Sequence, residues 1–73
     1  MTFEEYVVIV SDTMREYPSW RSGQAYFNCL YDARPDLSEQ IRGGMLDPFY
    51  DDSFIPQFLE FVMHNWDRKE EHV

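Results

Sequence analysis

Cys29 is the only cysteine in a chain of 73 residues, and that removes the commonest staple for a fold so small. A chain of this length buries only about 60% of the surface its unfolded state exposes, so something must compensate. The usual means are disulfides, a metal, self-association or an unusually dense core. One cysteine can bridge only to another molecule, and a lone thiol suits a reducing compartment. No cysteine–histidine spacing suggests a structural zinc site. A dense core and self-association remain. Composition favours the core, because aromatic residues make up 18% of the chain. Each buried aromatic removes roughly 150–250 Å² from water.

The apolar residues recur at helical spacing between clear stop signals. Thr2-Phe3-Glu4-Glu5 reads as a capping box at the start of a first helix, with Glu4 and Glu5 at its positive end. Phe3, Tyr6, Val7, Val10, Met14 and Tyr17 predict a helix from Phe3 to Glu16, ended by Pro18. The β-prone run Val7-Val8-Ile9-Val10 argues for a strand, but the caps and the longer periodicity decide for helix. Ser19 is the expected cap of a second helix opened by Trp20, with Trp20, Gly23, Phe27, Leu30 and Arg34 along one stripe. Gly23 in that stripe predicts close packing of a helix or ring on its bare backbone; the alternative is a notch for a partner.

Arg34-Pro35 should break the second helix. Asp36 should cap a short third one over residues 37–42, stopped by Gly43-Gly44. An irregular acidic loop follows, and a fourth helix is expected from Ser53 to Trp66, with Pro56 in its first turn. The expected fold is therefore all-α: a compact single-domain bundle of three main helices, one short helix and an acidic loop. The domain should span residues 1–66, with 67–73 a charged, frayed tail. The expected core comprises Phe3, Tyr6, Val7, Val10, Met14, Trp20, Phe27, Leu30, Leu37, Ile41, Phe49, Ile55, Phe58, Leu59, Val62 and Trp66.

Six basic residues against fourteen acidic ones give a formal charge of −8. Such a field repels nucleic acid and anionic lipid and favours a basic protein surface, though surplus carboxylates also simply keep a small domain in solution. The longest apolar run, Tyr6 to Val10, is far short of the ~20 residues of a membrane span. The acidic start lacks the basic region of a signal peptide, so a cytoplasmic location is expected.

Three groups of residues are candidates for function. On the fourth helix, Ile55, Leu59, Val62 and Trp66 form one apolar stripe and Phe54, Phe58 and Phe61 a second. An arc of about 200° is wider than a surface helix needs, so Phe54, Phe58 and Phe61 are candidates for a partner or dimer interface. Asp47, Asp51 and Asp52 form the acidic loop, which lacks the alternating acids and central glycine of a calcium loop. Capping, and pairing with Arg21, Arg34 and Arg42, is the better account of these aspartates. Phe49 and Tyr50 should pin the loop to the core. Arg21 either pairs with the loop or acts as a fork for a partner's carboxylate or phosphate. His64 lacks a nucleophile or orienting acid at a recognisable spacing, and Cys29 reads as a small buried residue. No cofactor motif is present, and the chain reads as a protein that is not an enzyme.

Several segments taken together carry a resemblance: Trp20-Arg21, Gly23-Gln24, Phe27-Asn28, Arg34-Pro35-Asp36-Leu37, Ile41-Arg42-Gly43, Leu46 to Asp52, Ile55-Pro56 and Phe58-Leu59. This pattern resembles a group of small uncharacterised proteins of bacteriophage and bacterial genomes. The group carries no established activity, so the resemblance implies a context and not a mechanism. In that context the expected role is a protein-binding module, a phage-type modulator of a host defence or nucleic-acid-binding protein. It would bind a protein partner with a basic surface through the fourth helix and the acidic loop, with Phe54, Phe58, Phe61, Asp47, Asp51, Asp52 and Arg21 as contact candidates, without touching nucleic acid or membrane. Two alternatives stand beside it: a self-associating homodimer using the apolar face of the last helix, and a metal- or small-ligand-binding domain at Asp47, Asp51 and Asp52.

Overall fold

The computed structural model describes residues 1–67. It is an all-α single domain with four α-helices, and the described residues contain no strand. Of the expected charged tail, residues 68–73 lie outside the described residues.

Helix α1 spans Phe3–Glu16. Its start is the expected capping box: the Glu5 amide donates to Thr2 Oγ1 at 3.1 Å, and the Thr2 amide donates to Glu5 Oε1 at 2.7 Å. The β-prone run is helical, its inward residue Val10 fully buried and Val8 and Ile9 turned to solvent.

Helix α2 spans Ser22–Ala33, so it begins two residues later than the Trp20 start the sequence suggested. The reason lies in the turn before it. Tyr17 and Trp20 stack ring on ring at 4.6 Å, and the Trp20 amide donates to the Tyr17 carbonyl at 3.0 Å. The cap is then supplied by Gln24, whose side chain accepts the Arg21 amide at 2.8 Å. Ser19 stays in the turn, exposed and outside the helix.

Helix α3 spans Pro35–Ile41, again with a shifted start. Proline opens a helix well, because its missing N–H would be unpaired there anyway and its φ is already helical. Asp36 therefore sits inside the first turn and does not cap it. Its carboxylate instead receives Arg34 Nε at 3.0 Å and Nη2 at 2.8 Å. The helix ends as expected: Gly43 takes φ of 73°, and the Gly44 amide donates to the Ile41 carbonyl at 2.9 Å.

A single 3-10 turn, Asp52–Phe54, leads into helix α4, Ile55–Asn65, with Pro56 in its first turn. Phe58 and Val62 are fully buried, and Trp66, just past the helix end, is buried too. Trp66 closes the bundle. Its ring lies 5.2 Å from Tyr6 and edge-on to Phe3 at 6.0 Å, with the Arg34 guanidinium 5.5 Å above it. Its indole N–H donates to the Met1 carbonyl at 2.9 Å, and Arg34 Nη1 donates to the Trp66 carbonyl.

Tyr6, Val10, Phe27, Leu30, Leu37, Ile41, Phe58, Val62 and Trp66 form the core as expected, joined by Ala25 and Cys29. Ile55, expected in the core, is half-buried at the helix start and outside that cluster. The Tyr6 ring is fully buried, but its hydroxyl reaches the Tyr26 carbonyl at 2.6 Å. Burial pushes the phenol well above its ordinary range, so it stays a neutral donor.

Candidate functional site

The loop between α3 and α4 is built from its aspartates upward. Asp47 is buried, its Oδ2 accepting the Gly43 amide at 2.7 Å and its Oδ1 the Phe49 amide at 2.9 Å. It folds the loop and, 6% exposed, also lines a cleft beside it. Asp51 accepts the Ser53 amide at 3.0 Å and starts the 3-10 turn. Hydrogen bonds from the Ser53 amide and hydroxyl, with a smaller contribution from Arg21, hold its carboxyl below the usual range.

Asp52 ties the loop to α2. Its Oδ1 accepts the Gly23 amide at 2.9 Å and lies 3.4 Å from Arg21 Nη1, while Arg21 Nη2 donates to the Phe49 carbonyl at 2.6 Å. The Pro48 carbonyl presses on Gly23 so closely that a Cβ there would meet it at 2.0 Å. Close packing on Gly23 was expected, but from a helix or ring; it comes from loop backbone. The notch is filled by the chain itself. Of the three arginines matched to loop aspartates, Arg21 makes the expected pair, with Asp52. Arg34 holds Asp36 and Arg42 holds Glu39.

The aspartate side chains thus engage N–H donors and Arg21. Among the described residues, no group of three or more acids, histidines or cysteines is placed to hold a metal ion.

The aromatic candidates of α4 divide. Phe58 is fully buried, its ring edge-on to Tyr26 at 6.0 Å, and so presents nothing to a partner. That is a correction with a simple cause: it lies on the side of α4 that faces the core, and a residue with no exposed area cannot join a contact. Phe54 and Phe61 are half-buried. Phe61 lines a shallow groove of about 490 Å³ with Leu46, Gln57, Glu60, His64 and Asn65.

Another concavity is one the sequence did not indicate. A cleft of about 480 Å³ opens between α2, the end of α3 and the loop, lined by Phe27, Asn28, Tyr31, Arg42, Phe49 and Tyr50 among others. Phe49 packs edge-on to Phe27 at 6.0 Å and to Tyr50 at 4.9 Å. The Arg42 guanidinium sits 5.5 Å from the rings of both Phe27 and Tyr31. Phe49 pins the loop as expected. Tyr50 does not, for it is 80% exposed, and Tyr31 is 49% exposed. Asn28 and Tyr31 come from α2 and Arg42 from the cap of α3, and they meet the loop only through the tertiary fold, so no spacing in the sequence announces them.

Electrostatically the cations here are engaged, Arg21 with Asp52 and a carbonyl, Arg42 with Glu39 and two rings, while Asp32 and Asp51 add exposed negative charge. Comparison with known protein families, with curated proteins and with solved structures gives no match. No helix among the described residues is long and apolar enough to cross a membrane.

Proposed function

We propose that this chain is a non-enzymatic protein-binding module whose aromatic cleft and acid-bearing loop engage a basic surface on a protein partner. One observation carries the reading: the Tyr50 ring is 80% exposed on a loop whose backbone is held by Asp47, Asp51, Asp52 and Arg21. A large amphipathic ring on a preordered segment loses little conformational freedom on binding, which is why tyrosine serves so often as an interface anchor. The net charge of −8 supports a basic partner through steering of the encounter. The resemblance of residues 20–59 to small phage and bacterial proteins supports a bacterial host factor as that partner, a defence or nucleic-acid-binding protein being the first to try.

The test is affinity capture from bacterial lysate with the intact chain and with Y31A and Y50A variants whose helical content is checked beforehand. A discrete partner retained by the intact chain and lost by both variants is the expected result. Equal capture by all three would remove the cleft from the contact. A partner released at high salt marks the acidic rim as the main attraction, since exposed charges are screened beyond about 10 Å at 0.1 M salt.

A further inference from the structure

The cleft leaves one sequence feature unexplained. Val8 and Ile9 are 58% and 40% exposed on the outward side of α1. Branching at Cβ lowers helix propensity, and the exposed part of each side chain adds nothing to the core, so the fold alone gives little reason for two such residues here. With Met1, Glu4 and Glu5 they line a second concavity of about 550 Å³, which shares no lining residue with the cleft. Met1 is fixed in place there, its carbonyl accepting the Trp66 indole N–H.

The charge around this patch is one-sided. Glu4, Glu5 and Glu16 are exposed on α1, whereas Arg15, the only cation of the helix, and Asp12 pair with each other. We propose that this face of α1 docks a basic amphipathic helix of a protein partner, separately from the contact at the cleft. The charge decides the sign: lysines or arginines flanking an apolar stripe complement carboxylates flanking Val8 and Ile9. The backbone decides the shape. Inside α1 the amides and carbonyls are already paired within the helix, so an extended segment would find no ladder to join. A helix brings its own backbone satisfied and packs ridge into groove. A second copy of this chain is disfavoured, because it would set carboxylates against carboxylates. Anionic lipid is repelled for the same reason.

The experiment titrates the full chain with a synthetic peptide of about 18 residues, leucine on one helical face and lysine elsewhere, followed by backbone amide NMR. Its control is a scrambled peptide of the same composition without the apolar face. Saturable shifts at Glu4, Val8 and Ile9 are expected, with the scrambled peptide weaker by about tenfold or more. The V8A/I9A double variant should weaken the amphipathic peptide by about tenfold or more, whereas Y50A should stay within about twofold. Alanine raises helix propensity, so V8A/I9A keeps its fold, which thermal melting checks.

Equal binding of the two peptides, or unchanged binding to V8A/I9A, overturns the proposal. So do shifts centred on Tyr31 and Tyr50. Light scattering that shows a dimer abolished by V8A/I9A would assign the face to a second copy instead, and co-sedimentation with phosphatidylglycerol vesicles would assign it to lipid; either also overturns it.

Discussion

At the scale of single residues, Gly23 shows how local and tertiary preferences can oppose each other. Replacing a helix-interior glycine by alanine ordinarily stabilises by about 1 kcal/mol. Here the added methyl would lie 2.0 Å from the Pro48 carbonyl and 2.7 Å from Asp52 Oδ1, at a point where backbone must give way. G23A is therefore expected to destabilise by about 1–3 kcal/mol, as overpacked sites do, lowering Tm by about 4–8 °C for each kcal/mol. Loss of Tyr50 from its position should follow, so the variant should also fail in partner capture. A G23A chain that melts no lower than the parent would show that the loop does not rest on α2. The sequence pointed to close packing at this glycine. What it could not show was the identity of the neighbour, because Pro48 and Gly23 meet only when α2 and the loop are both in place.

At the scale of elements, the helices were legible where the signal was local. Thr2 and Glu5 announce α1, and Gly43 with Gly44 announces the end of α3, because each motif satisfies backbone groups within a few residues. The starts of α2 and α3 were misplaced because side chains competed for the same job: Gln24 caps where Ser19 was expected, and Asp36 turns to Arg34. On α4, an apolar stripe wider than 180° could not say that Phe58 faces inward while Phe61 reaches the surface; the packing of Tyr26 against Phe58 decides it. The Arg34–Asp36 pair also has a pH signature. Its hydrogen bonds with Arg34 hold the Asp36 carboxyl below its ordinary range, so the folded chain binds this proton less readily than the unfolded one. The pair's stabilisation is complete above the ordinary carboxylate range and is lost as pH falls from about 4 through the lowered value. D36N should cost about 1–2 kcal/mol at neutral pH, and its gap to the parent should close in acid. Urea unfolding at several pH values checks this; a gap that persists unchanged at pH 2 would detach the pair from stability. Asp51, lowered in the same direction, shapes part of the same acid limb in both proteins.

At the scale of the whole molecule, Trp66 joins the end of α4 to the start of α1. One side chain packs on Phe3 and Tyr6, lies under Arg34 and holds the Met1 carbonyl. W66F keeps an aromatic ring but loses the indole donor, at a cost of about 1 kcal/mol for the hydrogen bond and somewhat more for the space left behind. Amide hydrogen exchange should speed up first in the opening turn of α1. If protection there is unchanged while α4 loosens, the indole's link to Met1 contributes nothing. The same link bears on how the chain is made. A ribosome releases α1 before α4, yet the seat for Phe3 and Tyr6 is complete only once Trp66 has been released. Until then the apolar side of α1 stays open to chaperones and to neighbouring nascent chains, so this fold closes only after α4 and Trp66 have emerged.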